Sequence, residues 1–432
     1  VTPYQLAINP AQTVQGAVAV PGDKSISHRY ALLGAIAAGI THIEHLAPGA
    51  DVASTIRCIG GLGPQIESGR VGSVRIRGVG RAGLSPAPRA LDAGNSGTTM
   101  RLLTGVVAGY QFFTTLTGDE SLSRRPMRRV IDPLVAMGAR IGSRGGCAPL
   151  EIHGASLSAI DWTSPVPSAQ VKSALMLAGL RATGTTAVRE PLATRDHTER
   201  AFPTFGLTSR TEGLTCFIEG GQRAIAPEAA LVVPGDPSSA AVWAAAAAAL
   251  PGSRVRLDGV CLNPHRLGFV AALDRMGADI RVQEDTQHAG EPVGSIHVSH
   301  GTDRPTTISA AEVPALIDEL PVLAARAALG AGLEVTGAAE LRVKESDRIT
   351  ALVAGLRSLG VDARELPDGF IVEGHRRPAG GTADAAGDHR LVMAFAIVAL
   401  GAASPSVITG AGAVAISYPD FERDLAQLVQ RS

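Results

Sequence analysis

A chain of 432 residues is longer than one hydrophobic core usually serves, so two domains of roughly 200 residues each are the starting expectation. Its 39 Lys and Arg nearly balance 40 Asp and Glu, which excludes a bulk-charge attraction to nucleic acid or to a membrane surface; any anion site has to be local. With 45% hydrophobic but only 3% aromatic residues, the core is built mainly of Ala, Val, Leu and Ile, and 50 glycines mark many tight turns.

In chain order, the opening VTPYQLAINP has neither a basic n-region nor an apolar h-region, and a cytoplasmic location is expected. Residues 4–20, YQLAINPAQTVQGAVAV, read as strands. From Pro21 a turn rich in Gly, Pro and Asp opens directly into an apolar helix, PGDKSISHRYALLGA. The same event recurs at Gly94 (GNSGTTMRLLTGV), Pro167 (PSAQVKSALMLAG), Pro234 (PGDPSSAAVWAAA), Val313 (VPALIDELPVLAA) and Asp388 (DHRLVMAFAIVAL), at intervals of 67 to 79 residues. That is a six-fold repeat.

Between these helices lies a second kind, which stops at glycine and turns into a strand: IGGLGPQIE (59–67), LVAMGARIG (134–142), LDRMGADIRV (273–282) and LRSLGVDAREL (356–366). VRIRGVG (74–80) and GFIVEGH (369–375) add further strands. Six such repeats fall into two sets of three, and the duplicated VPGD at 20–23 and 233–236 marks the divisions. The expected fold is therefore α/β with two similar domains, one spanning 21–235 and the other 236–432 with residues 1–20 packed onto it. Ala240–Leu250 is too short to span a bilayer, and small side chains there suit close helix packing. Met137 and Met276, just before helix-ending glycines, read as core.

Helix N-termini attract anions through unpaired N–H groups and the helix dipole. Basic residues cluster near the openings: Lys24 and Arg29, Arg101, Arg124 and Arg125, Arg195, Lys344 and Arg348, and Arg390. Cys58, Cys147, Cys216 and Cys261 show no CxxC spacing and no nearby His pair, so no metal, cofactor or disulfide framework is expected. His28, His197 and His389 read as hydrogen-bonded supports.

The ordered set PGDKSISHR, LDAGNSGTTMRLL, GDESLSRRPM, SAQVKSALMLAGL, TRDHTE, LRVKESDRI, DHRLVMA and SYPDF closely resembles the 5-enolpyruvylshikimate-3-phosphate synthase (3-phosphoshikimate 1-carboxyvinyltransferase) family over nearly the whole chain. The resemblance implies two domains of three βαβαββ units each, an inside-out α/β barrel with pseudo-six-fold symmetry, and an active site in the interdomain cleft. It also implies transfer of the enolpyruvyl group of phosphoenolpyruvate to the 5-hydroxyl of shikimate 3-phosphate, the sixth step of the shikimate pathway, by a monomer.

By that similarity Ser25 and Arg29 hold the shikimate carboxylate; Ser168, Ala169 and Gln170, with Lys344, hold its phosphate and ring; and Arg195 lies near the ring. Arg125, Arg348 and Arg390 bind phosphoenolpyruvate, with Asn95 and Gly97 letting backbone approach its phosphate. Asp318 is the expected base for the 5-hydroxyl. Glu345 and Lys24 share proton transfer at carbon, although Lys344 and Arg348 favour the ionised form of Glu345. The ligands bring a charge of roughly -5 to -6, against seven cations and the two carboxylates of Asp318 and Glu345, so closure on binding is expected.

Some positions depart from the family pattern: Ile416 replaces a Lys that some members carry, and Ala169 a second Ser. UDP-N-acetylglucosamine enolpyruvyl transferases share the fold but usually carry a Cys in the loop matching GDESLSRRPM, which has none. GDKS lacks the glycine register of a nucleotide-binding P-loop. A non-catalytic anion-binding protein of this fold would leave Asp318 and Glu345 idle.

Overall fold

The computed structural model describes residues 4–374 and 377–430. The ends of the expected second domain and the last residue of the run 369–375 lie outside them. The chain forms two compact units. One comprises Gly22–Val233 with Gln287–Glu291; the other comprises the chain up to Pro21, Pro234–Thr286 and the chain from Pro292 on. Among the described residues, no helix is long and apolar enough to cross a membrane.

The Gly22–Val233 unit contains three four-stranded sheets of one design. In the sheet Leu91–Asp92, Phe113–Thr117, Cys147–His153, Arg140–Arg144, the first two strands run parallel and each later pair antiparallel. Helices Gly97–Ala108 and Arg128–Ala136 connect these strands, giving β-α-β-α-β-β. The sheet Asp161–Thr163, Thr185–Arg189, Thr215–Glu219, Arg210–Glu212 repeats it, as does Leu231–Val232, Ile40–Glu44, Val74–Arg77, Gln65–Ser68.

In the other unit the order recurs in Thr306–Ile308, Gly332–Val335, Gly369–Glu373, Ala363–Leu366 and in Thr13–Ala19, Arg254–Cys261, Glu291–Ser299, Asp279–His288, where Val429–Gln430 adds a fifth strand beside Thr13–Ala19. The sixth repeat departs from the expected pattern. Its sheet has three strands, Thr382–Asp384, Ser406–Thr409 and Gln5–Ile8, so the start of the chain supplies the antiparallel partner that a hairpin supplies elsewhere.

The duplicated VPGD has a topological cause. Thr13–Ala19 precedes the Lys24–Ile36 helix but pairs with Arg254–Cys261, the strand after the Pro237–Ala249 helix. Leu231–Val232 precedes the Pro237–Ala249 helix but pairs with Ile40–Glu44, the strand after Lys24–Ile36. The two repeats thus exchange first strands, and each VPGD is the turn that follows an exchanged strand. Its glycine is obligatory at the first copy, because a Cβ on Gly22 would lie 1.8 Å from the His45 carbonyl oxygen.

Five Asp or Ser caps explain why five of the six repeat helices start where they do. Asp23, Ser96, Ser168, Asp236 and Asp388 each accept a backbone N–H of the first turn. The second class of helix ends at glycines with positive φ, Gly63, Gly138, Gly277 and Gly360, followed by strand. Helices approach closely through small residues: a Cβ on Gly105 would lie 2.2 Å from the Ala174 carbonyl oxygen. Every residue of the Pro237–Ala249 helix is buried, with Trp243 stacked on Phe421 and donating to Tyr418 at 2.9 Å.

One expected helix is broken. VPALIDELPVLAA forms Val313–Leu316 and Leu320–Ala328, with residues 317–319 as a turn between them. Pro321 sits in the first turn of the second helix, where its fixed φ and missing N–H are tolerated, and it disfavours helical backbone at Leu320. Asp318 therefore stands at a helix entrance, not within a helix.

Candidate active site

Ten of the expected residues lie in the Gly22–Val233 unit, grouped at the starts of its helices. Lys24 opens the Lys24–Ile36 helix, and its ammonium meets Asp51 Oδ2 at 3.0 Å. Arg29, one turn on, is buried and pinned by the protein: Nε donates to Thr198 Oγ1 at 2.7 Å, Nη1 to the Ser25 carbonyl at 2.9 Å and Nη2 to Ser173 Oγ at 2.7 Å. Burial pushes this guanidinium down to about 10. A guanidinium has five N–H donors, so the fork keeps capacity for an anion while its orientation is fixed.

His28 lies behind these groups. Burial pushes its imidazole down to about 3, so it is neutral, with Nδ1 2.7 Å from Thr55 Oγ1. Thr55 continues to Thr99 at 2.6 Å, and Thr99 reaches Ser96, the cap of the Gly97–Ala108 helix, at 2.8 Å. A chain of side chains thus ties the first two repeat helices together.

At the Gly97–Ala108 helix, Asn95 accepts from Arg125 Nη2 at 2.5 Å and donates to Asp119 at 2.7 Å, which fixes its amide orientation. Gly97 is the first helical residue, and a Cβ there would lie 2.8 Å from Arg101 Nη1. Gln170 accepts from Arg101 at 2.7 Å and donates to Thr98 at 2.9 Å. Ser168 caps the Ala169–Gly179 helix. Arg195 directly precedes Asp196, the N-cap of the short His197–Ala201 helix. Lys172 is buried; desolvation alone would lower its ammonium, but Glu199 and Glu190, at 2.9 and 2.8 Å, raise it.

Asp318, Lys344, Glu345, Arg348 and Arg390 lie in the other unit, and Arg348 is their hub. It is 1% exposed; its Nε donates to Asp388 Oδ2 at 2.8 Å, its Nη2 to Glu345 Oε2 at 2.5 Å, and its Nη1 stands 3.8 Å from Asp318 Oδ1. Burial would lower this guanidinium, yet Asp388 and Glu345 overcome that and raise it. Arg390 donates to the Asp318 carbonyl at 3.0 Å, and its Nη2 lies 3.7 Å from the Asp318 carboxylate. Burial pushes Lys344 below the usual lysine range, against the opposing pull of Asp318 and Glu340.

Sequence reasoning missed the acidic partners. Asp51 neutralises Lys24, and Asp388, within the DHR motif, holds Arg348 while capping its own helix. The charge count that opposed seven cations with two carboxylates omitted both. A first-turn acid after Gly49 was the only local signal for Asp51. Ile416 ends a 3-10 segment, Ala411–Ile416, and brings no charge. Among the described residues, no group of three or more His, Cys, Asp and Glu could hold a metal ion.

Helix entrances that carry buried guanidinium groups fixed by hydroxyls, carbonyls and carboxylates, in a repeated α/β frame, mark a protein built to bind small anions. Its likeness to known proteins is much more specific. The family described as EPSP synthase (3-phosphoshikimate 1-carboxyvinyltransferase) matches residues 8–425, and the chain belongs to it.

Three relatives are each named 3-phosphoshikimate 1-carboxyvinyltransferase. That of Pelotomaculum thermopropionicum is 46% identical, covering 98% of this chain and 99% of its own. That of Akkermansia muciniphila is 48% identical, covering 96% and 98%. That of Halorhodospira halophila is 49% identical, covering 98% and 95%. A 2.37 Å structure of EPSP synthase from Acinetobacter baumannii superposes with a TM-score of 0.87 at 41% identity, covering 98% of each chain.

Proposed function

We infer that this protein is a 3-phosphoshikimate 1-carboxyvinyltransferase, which transfers the enolpyruvyl group of phosphoenolpyruvate to the 5-hydroxyl of shikimate 3-phosphate and releases phosphate. The family match over residues 8–425 carries this reading. The product feeds chorismate and aromatic amino-acid biosynthesis.

Residue roles follow from the chemistry of each group. Ser25 and the pinned fork of Arg29 suit a carboxylate of shikimate 3-phosphate, since a planar guanidinium offers two parallel donors. Ser168, Ala169 and Gln170, with Lys344, take its phosphate and ring, and Arg195 lies by the ring. Arg125, Arg348 and Arg390 take phosphoenolpyruvate, helped by Asn95 and by the backbone at Gly97, where no Cβ intervenes.

Asp318 removes the proton of the 5-hydroxyl as that oxygen bonds to C2 of phosphoenolpyruvate. The methylene carbon gains a proton from Glu345 or Lys24, giving a tetrahedral adduct with a methyl group. The group that gave the proton takes one back from the methyl group, re-forming the double bond as the C2–O bond to phosphate breaks, and the proton held by Asp318 leaves with the phosphate. In the free protein Glu345 accepts from Arg348, so donation requires the ligand phosphate to draw that guanidinium away.

The test is product analysis. Purified protein given both substrates should yield shikimate 3-phosphate enlarged by one carboxyvinyl group, with one phosphate per product. Phosphate without that product would reject the reading.

A further inference from the structure

The second VPGD junction lacks the lysine and arginine of the first but keeps its serine: in VPGDKS and VPGDPS, Ser25 and Ser238 occupy the same place. Ser238 is buried, and its hydroxyl works in both directions. It donates to Glu319 Oε1 at 2.5 Å and accepts from Arg266 Nη2 at 3.0 Å. The same Arg266 nitrogen reaches Asp236 Oδ1 at 2.9 Å, and Asp236 caps the helix through Ser238 N at 2.8 Å. Arg266 and Glu319 are each 1% exposed. At this helix entrance, then, a carboxylate of the chain itself rests on the serine, with a guanidinium behind it.

Glu319 directly follows Asp318. Its carbonyl accepts Leu323 N at 3.1 Å, starting the Leu320–Ala328 helix, while Arg390 holds the Asp318 carbonyl at 3.0 Å. The turn 317–319 is thus pinned from two sides, by Arg390 on the backbone and by Ser238 on the side chain of Glu319. Removing the Ser238 hydroxyl would leave a buried carboxylate oxygen unsatisfied. Glu319 would turn to find another donor and carry Asp318 with it.

We propose that Glu319, seated on Ser238, whose hydroxyl Arg266 holds in turn, is a positioning residue for Asp318. One junction turns its serine toward a carboxylate of the substrate; the other turns the matching serine toward an internal carboxylate that sets the base. The proposal rests on the reading of Asp318 as that base.

The test measures kcat and both KM values of the full chain for Ser238→Ala, Ser238→Thr, Asp318→Asn and the double variant Ser238→Ala with Asp318→Asn. Ser238→Ala should lower kcat about tenfold or more, since an ångström of misplacement costs roughly a hundredfold, with both KM values within about twofold. Ser238→Thr, which keeps the hydroxyl, should restore most of kcat. In the Asp318→Asn background Ser238→Ala should cost nothing further, because the brace acts only through Asp318.

An unchanged kcat for Ser238→Ala, or the same loss in both backgrounds, overturns the brace. Near-normal turnover by Asp318→Asn instead overturns the underlying base assignment, so the two failures are told apart. If Ser238→Ala does not fold, Glu319→Gln carries the same two-background comparison.

Discussion

Replacing Arg348 with lysine separates charge from geometry at the hub of the second cluster. The guanidinium holds Asp388 at 2.8 Å and Glu345 at 2.5 Å through two different nitrogens, and Asp388 is wholly buried. A lysine keeps the charge but offers a single ammonium on a flexible stem, which cannot serve both carboxylates at those positions. Losing one charge-assisted hydrogen bond costs about 1.5–3 kcal/mol. Arg348→Met removes the charge as well and leaves the buried Asp388 without its charged partner, which costs about 3–5 kcal/mol.

Urea unfolding should therefore rank the native protein above Arg348→Lys and that above Arg348→Met. On activity, Arg348→Lys should lower kcat/KM for phosphoenolpyruvate at least tenfold, because the planar fork is lost, while KM for shikimate 3-phosphate moves less than about threefold. Equal stability of all three proteins, or a defect confined to shikimate 3-phosphate, would refute this reasoning.

Three further outcomes follow from the same structure. His28 is held at about 3 by burial, whereas in the unfolded chain it titrates near the ordinary value. The unfolded state therefore takes the proton first, and stability is intact above about pH 6.5 and declines as pH falls toward 3, by about 2 kcal/mol at pH 5. His28→Asn should remove that slope from the urea midpoints between pH 7 and 5. Lys344 is pushed down by burial, so its ammonium is lost at a lower pH than that of an ordinary lysine. KM for shikimate 3-phosphate should rise on the alkaline side at a pH where Lys344→Arg does not yet respond. Burial pushes Cys58 and Cys216 up to about 12, and Cys261 is buried, while Cys147 is half-buried. A thiol reagent at mild pH should modify Cys147 alone in native protein and all four cysteines after unfolding.

Local chemistry made much of the fold legible. Asp23, Ser96, Ser168, Asp236 and Asp388 cap helices through bonds reaching only two or three residues along the chain, and Gly63, Gly138, Gly277 and Gly360 end helices through their own φ. Such signals are written where they act. The exchange of Thr13–Ala19 and Leu231–Val232 between repeats was not legible, because strand pairing is chosen by partners more than a hundred residues away. The break at Asp318 was hidden by an apolar period that Pro321 interrupts.

At the site the same division holds. The motifs exposed the cations, whereas the carboxylates that orient them come from other segments: Asp51 for Lys24 and Asp388 for Arg348. Nothing local marked Ser238, Arg266 and Glu319 as a group, since they gather from three separate stretches of chain.

The most direct test of the central claim is phosphate release from phosphoenolpyruvate by the purified protein, with shikimate 3-phosphate and, separately, with UDP-N-acetylglucosamine. Release with shikimate 3-phosphate alone, lowered about a hundredfold or more by Asp318→Asn while both substrates still bind, is the predicted result. Release with the sugar nucleotide, or with neither acceptor from folded protein that binds phosphoenolpyruvate, would contradict it.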